Sequence, residues 1–159
     1  MAKKKQRKDI KICFAASSGG HYEQLLMLKP LMERYQSYVL TEKTRYSSDN
    51  GFKTYKVAQI NRKEILFPFK LIANGCKSFW ILVKEKPDVI ITTGVLAMLP
   101  TCILGKMMKK KLIYLESFAK VTSATETGKF LYGKADRFYV QWESMLEIYP
   151  DAVYRGGIY

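Results

Sequence analysis

The chain has 159 residues, of which 48% are hydrophobic and 26% are charged, and its formal net charge is +13 at pH 7. This length and hydrophobic share predict one globular domain with its own core and exclude an intrinsically disordered chain. The excess of positive charge predicts an anionic partner: nucleic acid, anionic lipid or a phosphorylated ligand.

The N-terminal segment, residues 1–10, is rich in lysine and arginine, and we predict that it forms a basic arm ahead of one domain over residues 11–159. No signal peptide is evident in it. The longest apolar runs, Phe79–Val83 and Val95–Gly105, are too short to cross a bilayer, which takes roughly 18–20 residues. The protein is therefore expected to be soluble or peripheral to a membrane.

The three cysteines, Cys13, Cys76 and Cys102, lie far apart, each in an apolar context. An odd number without a C-x-x-C pair argues against a disulfide framework and against a zinc site. We expect buried free thiols in a reducing cytoplasm, with no metal and no cofactor.

A glycine turn separates the first predicted strand, Lys11–Ala16, from a helix that Pro30 should kink or split. Its residues are Ser17, Ser18, Gly19, Gly20 and His21. Adjacent glycines let backbone N–H groups approach a ligand, and a helix N-terminus adds a positive dipole that suits phosphate. The turn lacks both the G-x-G-x-x-G spacing and a Walker A lysine. It is either a phosphate cradle or a tightly packed turn.

A long helix is predicted over residues 65–83. Its apolar side chains recur at alternating spacings of four and three, which predicts one stripe packed on the sheet: Ile65, Phe69, Ile72, Cys76, Phe79 and Val83. A second stripe, on the opposite face, has a spacing of seven: Lys63, Lys70, Lys77 and Lys84. These lysines either face water or, together with Trp80, meet an anionic membrane surface.

The other predicted elements alternate strands with helices. The strands are Tyr38–Thr41, one within Phe52–Ile60, Val89–Thr93, Leu112–Glu116, Arg137–Val140 and an edge strand at Ala152–Tyr154; the helices are Val95–Met108, Phe130–Gly133 and Trp142–Tyr149. This order predicts an α/β fold, a doubly wound parallel sheet with helices on both faces. Ligands bind at the carboxyl ends of such strands, where the glycine turn, Thr93 with Gly94, and Glu116 should converge.

Several sequence blocks follow one another at a family-like spacing. They are SSGGH at 17–21, PDVIITTG at 87–94, YLESFAKV at 114–121, TGK at 127–129, AD to VQW at 135–142 and YRGGIY at 154–159. Together they resemble the membrane-associated subunit of the two-subunit N-acetylglucosaminyltransferase of dolichol-linked oligosaccharide synthesis. They are more similar to bacterial capsule and exopolysaccharide biosynthesis proteins of the PssD type.

The resemblance implies a single Rossmann-like domain equivalent to the N-terminal, acceptor-binding half of a GT-B glycosyltransferase. A separate donor-binding subunit would hold the UDP-sugar. The pair would work on the cytoplasmic, inner face of the cell membrane and glycosylate a polyprenyl-diphosphate-linked sugar. The eukaryotic counterpart has a transmembrane anchor that this sequence lacks, so we expect attachment through the basic arm, Lys63, Lys70, Lys77 and Trp80.

Under this resemblance, His21 and Glu116 are the candidate catalytic residues, because transfer needs a base for the acceptor hydroxyl. The candidate substrate-binding residues are Ser17, Ser18, Gly19, Gly20, Thr93, Gly94, Ser117 and Lys120. The tail, through Tyr154, Gly156, Ile158 and Tyr159, is expected to bind the donor-binding subunit. Alternatively, His21 bonds a neighbouring loop, and Glu116 caps the next helix or pairs with a lysine.

Two other functions compete with this hypothesis. A stand-alone nucleotide-sugar enzyme would need an acidic residue for the ribose after the second strand, where only Glu42 is near. A nucleic-acid-binding protein fits the net charge, but no recognised binding motif is present, and we expect no nucleic acid as partner.

Overall fold

The structure is a computed structural model that describes residues 7–44, 51–61, 63–94 and 96–159. Seven parallel strands form one sheet in the order β3-β2-β1-β4-β5-β6-β7. The strands are β1 Arg7–Ala15, β2 Tyr35–Glu42, β3 Lys53–Val57, β4 Val89–Thr92, β5 Lys111–Leu115, β6 Arg137–Val140 and β7 Val153–Tyr154. The α-helices are α1 Gly20–Leu26, α2 Lys29–Arg34, α3 Phe67–Glu85, α4 Leu99–Met107 and α5 Glu126–Leu131, with 3₁₀ turns at Leu96–Met98 and Glu143–Glu147.

The strand order reverses between β1 and β4, which makes the sheet doubly wound, as predicted. β1 pairs with β2 on one side and β4 on the other, so Cys13 lies opposite both Tyr38 and Ile90. β1 begins at Arg7, within the predicted arm; residues 1–6 lie outside the described residues. The fold places the carboxyl ends of β1 and β4, where ligands bind in such sheets, side by side.

The two faces of the sheet are covered unequally. On one face, α3, α4 and α5 bury a large core that includes Leu82, Cys102 and Leu131. On the other face, α1 and α2 bury a smaller core around Leu25 and Met32. The sheet therefore has a broad three-helix layer on one side and a narrow layer over β1 and β2 on the other.

Proline marks the beginning of three helices. Pro30, Pro68 and Pro100 each occupy one of the first two positions of α2, α3 and α4. A missing N–H has no cost there, because first-turn N–H groups have no partner within the helix. The predicted split at Pro30 is confirmed.

Three local predictions were wrong. The helix expected at Trp142–Tyr149 is a 3₁₀ turn, Glu143–Glu147, which follows Trp142, whose indole N–H is held by the Phe118 carbonyl at 2.6 Å. The helix α5 begins at Glu126 rather than at Phe130, because the Thr125 side chain caps it. Cys76 is exposed, whereas Cys13 and Cys102 are buried as expected.

The orientation predicted for α3 is also wrong. The stripe expected in the core faces outward: Phe69 is 70% exposed, Ile72 64% and Phe79 52%. The buried side chains of α3 are Asn74, Ser78, Ile81, Leu82 and Glu85. Because adjacent helix positions are about 100° apart, Lys70, Lys77 and Lys84 lie about 100–140° around α3 from the centre of the apolar stripe, between the stripe and the buried face.

Polar partners from the rest of the fold allow the polar side of α3 to face inward. The Asn74 carboxamide makes two hydrogen bonds of 2.8 Å with the backbone of Ala58, and the Ser78 hydroxyl lies 2.8 Å from that of Thr101 on α4. Glu85 accepts hydrogen bonds from Lys11, Lys53 and Tyr55. Within the described part of the chain, no helix has the length and apolarity needed to span a membrane.

Candidate functional site

A crevice opens at the point where the strand order reverses. His21, on the first turn of α1, lines the crevice and is joined by two hydrogen bonds to Thr93, which lies buried directly after β4. The His21 Nδ1 lies 2.9 Å from the Thr93 carbonyl, and the Thr93 hydroxyl donates to the His21 carbonyl at 3.0 Å. This pair locks the first helix to the end of β4.

The Nδ1 contact fixes the tautomer of His21. A carbonyl oxygen can only accept, so Nδ1 must carry the proton and donate it. In the neutral imidazole the lone pair is then on Nε2, to which no described residue donates or accepts a hydrogen bond. The ring is therefore arranged to accept a proton at Nε2.

The crevice has a volume of about 410 Å³. Its walls combine one imidazole, one ammonium, one carboxylate and two hydroxyl groups with three apolar residues: His21, Lys120, Glu126, Thr125, Thr127, Ile60, Leu96 and Ala124. The Glu126 carboxylate pairs with Lys129 at 2.9 Å, so the mixture suits a small polar ligand that meets Lys120 and His21.

The glycine turn is not a tightly packed turn, so that alternative is wrong. Gly19 has φ +76°, which requires glycine, and an added Cβ at either Gly19 or Gly20 would meet nothing within 4 Å. However, the N–H and hydroxyl of Ser18 both bond the Glu42 carboxylate, at 3.3 and 3.2 Å. Ser17 is buried. Ser17 and the Ser18 N–H are therefore not available to a phosphate as predicted.

Glu42 has a structural role in this turn. It is buried, and besides Ser18 it accepts a long hydrogen bond of 3.4 Å from the N–H of Ile60. Its carboxylate is occupied from two sides by the protein's own backbone. It therefore holds the glycine turn against the segment that precedes α3.

Glu116 lies beneath the crevice rather than in its wall. It is fully buried, and its carboxylate accepts hydrogen bonds from the hydroxyls of Tyr114, Tyr149 and Thr125 at 3.1, 3.1 and 2.9 Å. Burial, followed by the charge of Glu116, raises the pKa of both tyrosines well above the usual range, so both phenols stay protonated and donate. The direct contact with substrate predicted for Glu116 is therefore absent.

Through these bonds Glu116 positions α5. Thr125 both donates to Glu116 and accepts the Gly128 N–H at 2.8 Å as the cap of α5. An added Cβ at Gly128 would lie only 2.2 Å from the Glu116 Oε2. The residue that caps α5 is Thr125, and Glu116 holds Thr125 in place. The predicted alternative, in which Glu116 caps the next helix, is therefore correct only in this indirect sense.

Two buried glutamines, which the sequence analysis missed, hold the segment after β5. The Gln24 and Gln141 side-chain amides donate to the Glu116 carbonyl at 3.1 and 2.8 Å, and Gln24 accepts the Phe118 N–H at 3.2 Å. Gln24 lies on α1, the helix that carries His21. The segment after β5 is thereby fixed relative to the imidazole.

The predicted site residues therefore separate into two groups. His21 and Lys120 meet in the crevice, whereas Thr93 and Gly94 are buried below it and Ser117 is half-buried. Thr125 and Thr127 were missed; they lie between the predicted strand Leu112–Glu116 and the predicted helix Phe130–Gly133. A threonine followed by glutamate is a helix-start signal that could have identified Thr125.

The predicted partner-binding tail folds back onto this domain. The N–H of Ile158 donates to Gln141 at 3.2 Å, and the Tyr159 ring lies 4.8 Å from that of Phe118. Between the tail and the face of the sheet beyond α1 and α2 lies an apolar cavity of about 330 Å³, lined by residues such as Ile113 and Leu115.

The fold resembles solved structures of sugar-nucleotide enzymes. It superposes on MurG of Acinetobacter baumannii with a TM-score of 0.72 at 18% identity, covering 85% of this chain and 42% of that one. For the UDP-N-acetylglucosamine 2-epimerase of Rickettsia bellii the TM-score is 0.71 at 12% identity, covering 94% and 45%. The chain spans less than half the length of these proteins, and the predicted fold, equivalent to one half of a GT-B chain, is confirmed.

Sequence comparisons identify relatives of similar length. The chain is 29% identical to the human UDP-N-acetylglucosamine transferase subunit ALG14, over 96% of this chain and 84% of the relative. It is 30% identical to the subunit of the same name from Yarrowia lipolytica, over 92% and 80%. The family model described as "Oligosaccharide biosynthesis protein Alg14 like" matches residues 33–158, well over half of the chain. The chain therefore belongs to the Alg14-like family of oligosaccharide biosynthesis proteins.

Proposed function

We propose that the chain is the acceptor-binding, membrane-recruiting subunit of a two-subunit glycosyltransferase. The complex transfers a sugar from a UDP-sugar to a polyprenyl-diphosphate-linked saccharide, and a separate donor-binding subunit holds the UDP-sugar. The observation that carries the proposal is the crevice, where an imidazole with an open Nε2 and a lysine lie together in a member of the Alg14-like family. The sequence resemblance to PssD-type proteins supports capsule or exopolysaccharide synthesis as the process.

In this proposal His21 is the base. Its Nε2 takes the proton from the acceptor hydroxyl as that oxygen attacks the anomeric carbon of the donor sugar. The bond between the anomeric carbon and the phosphate oxygen breaks, and UDP leaves with the electron pair. The contact of Nδ1 with Thr93 supports this role, because it leaves the lone pair of the neutral ring on Nε2 in a residue that lines the crevice.

The acceptor diphosphate is assigned to the same crevice, with Lys120 as its counter-charge. The hydroxyl-bearing residues Thr125 and Thr127 line the crevice beside the lysine. The open space above Gly20 leaves room for the phosphates at the start of α1. Glu116 acts as a positioning residue, because it holds Thr125 in place without reaching the substrate.

Membrane recruitment is assigned to α3. Phe69, Ile72 and Phe79 expose a continuous apolar face, and contiguous exposed apolar surface of this kind marks an interaction site. Lys63 and Lys77 are exposed beside it, and the Lys84 ammonium lies 4.5 Å from the Trp80 ring centroid. Lysines near an anionic lipid surface contribute on the order of 1 kcal/mol each.

The donor-binding subunit is assigned to the tail and the sheet face beside it. Tyr154 and Tyr159 expose aromatic surface, and the apolar cavity under Gly156 and Ile158 offers a place for an inserted side chain. Truncation after Tyr154, which keeps β7 in the sheet, is expected to abolish co-purification with the donor-binding subunit while the fold remains. An intact complex after this truncation would contradict the assignment.

The decisive experiment reconstitutes the chain with a candidate donor-binding subunit on anionic liposomes. Transfer of labelled sugar from the UDP-sugar to a polyprenyl-diphosphate-linked acceptor is expected only when both subunits are present. His21→Ala should reduce kcat by about 10²–10⁴-fold, the contribution expected of a general base. Full activity of His21→Ala, with the complex intact, would overturn the catalytic assignment.

Two outcomes would support the competing functions instead. UDP-sugar binding and turnover by the chain alone would indicate a stand-alone enzyme. Binding to nucleic acid but not to anionic liposomes, at matched salt, would indicate a nucleic-acid-binding protein.

A further inference from the structure

An apolar groove of about 540 Å³ runs between α3 and α4. Leu71, Ile72 and Phe79 form one wall, and Pro100, Ile103 and Leu104 form the other. Its volume is within the range of small-molecule sites, about 300–1,000 Å³, and no charged side chain lines it. The groove is therefore suited to a hydrocarbon chain rather than to a polar ligand.

The spacing of the two helices is fixed beneath this groove. The hydroxyls of Ser78 on α3 and Thr101 on α4 are fully buried and lie 2.8 Å apart. Above them Gly75 faces Pro100, and a Cβ added at Gly75 would approach the Pro100 Cβ only to 3.9 Å. The absence of a side chain at Gly75 keeps this part of the groove open.

The groove begins close to the crevice. Leu96, in the crevice wall, starts the 3₁₀ turn that continues into α4, and Pro100 of the groove follows four residues later. At helical rises this separation is about 6–8 Å. Ile60, which also lines the crevice, lies seven residues before the first residue of α3. A polar compartment with a lysine and an imidazole thus leads into an apolar channel.

We propose that the groove between α3 and α4 holds the isoprenoid chain of the lipid-linked acceptor. The inference rests on the proposed function and names the part of the substrate that the helical layer recognises. In such an acceptor the charged diphosphate is followed by an apolar chain. In the protein the polar crevice is followed by the apolar groove, so the two match part by part. The exposed apolar face of α3 borders the groove, so the chain enters from the membrane side without crossing water.

The test separates chain recognition from membrane attachment by working in detergent solution with the complete two-subunit complex. Two acceptors with the same sugar and diphosphate are compared, one with a long polyprenyl chain and one with a short, water-soluble chain. Gly75→Leu places a side chain in the groove, and leucine favours helix more than glycine does, so the fold is retained. Ala73→Leu adds the same side chain to an exposed position of α3 outside the groove lining.

Gly75→Leu is expected to raise KM for the long-chain acceptor by about tenfold or more, the scale of discrimination in apolar pockets. Its KM for the short-chain acceptor and its kcat should match those of Ala73→Leu. An unchanged ratio of the two KM values would overturn the inference. So would a Gly75→Leu protein that loses only liposome binding, since the groove would then hold bilayer lipid. Failure of the wild-type complex to use either acceptor would instead refute the proposed function.

Discussion

The two faces of α3 are chemically reversed relative to a helix of an ordinary soluble domain. The inward face buries Asn74, Ser78 and Glu85, whereas the outward face exposes Phe69 and Phe79. Each buried polar side chain has a partner outside α3, so its burial is compensated by hydrogen bonds or ion pairs. Phe69 and Phe79, by contrast, are left largely uncovered by the part of the chain that the structure describes. We therefore expect substitutions on the inward face to change stability and substitutions on the outward face to change the membrane binding that we propose.

The largest effect is expected on the outward face. Phe69→Ser combined with Phe79→Ser should lower partitioning onto anionic liposomes by about a hundredfold or more, since each buried phenylalanine contributes about 1.5–3 kcal/mol. The midpoint of thermal unfolding should hardly change, because both side chains are already exposed. Liposome flotation and calorimetry measure the two quantities. Ile148→Ser, a change at an exposed apolar residue outside α3, is the matched control.

Glu85 gives the next largest effect, and it acts on stability. Burial would raise its pKa, but hydrogen bonds from Lys11, Lys53 and Tyr55 outweigh burial and lower the pKa from 4.5 to about 2. Because the folded-state pKa is the lower one, the ionised group stabilises the fold above pH 4.5. That contribution is lost as the pH falls towards 2.

We therefore expect Glu85→Gln to reduce the free energy of unfolding by up to about 3 kcal/mol at pH 7. The difference between wild type and variant should shrink between pH 4.5 and 2. Urea unfolding across this range measures it. A difference that stays constant down to pH 2 would show that Glu85 acts through packing rather than through its charge.

Asn74 tests the inward face without a charge. Asn74→Ala removes both hydrogen bonds to the Ala58 backbone, which fix the chain directly after β3. We expect the free energy of unfolding to fall by about 2 kcal/mol. The loss is not larger because Ala58 is exposed, so water replaces Asn74 as a partner of its backbone N–H and carbonyl. Liposome binding should stay at the wild-type level. If Asn74→Ala lowered liposome binding in proportion to the free energy of unfolding, the two faces of α3 would not have separate roles.

The helix itself could be predicted from its periodicity, but its orientation could not. A 3.6-residue pattern shows that polar and apolar side chains are segregated, and it contains no information about which side meets the sheet. The orientation depends on partners far away in the chain, such as Thr101 for Ser78 and Lys11 for Glu85. A helix whose apolar side faces outward has the same sequence pattern as a helix whose apolar side faces the core. The outward orientation becomes possible when the polar side chains find hydrogen-bond partners inside the protein.

The candidate site was more predictable, because the order of strands determines where their ends meet. The position of His21 beside Thr93 follows from the reversal between β1 and β4. The sequence could not decide between contact with substrate and helix capping for Glu116, since its partners Thr125 and Tyr149 come from separate later segments. A carboxylate at the end of a strand has the same sequence context whether it faces a substrate or a buried network.

The smallest effect is expected at the contact between α3 and α4. Ser78→Ala leaves the buried Thr101 hydroxyl without its partner. The free energy of unfolding, measured with urea, should fall by about 1–2 kcal/mol. Thr101→Val in the same protein removes the unpaired hydroxyl as well, so the double variant should recover part of this loss. Additive costs in this double-mutant cycle would mean that the two hydroxyls do not interact. A measured coupling would show that a buried polar pair fixes the spacing of the two helices on which the apolar groove depends.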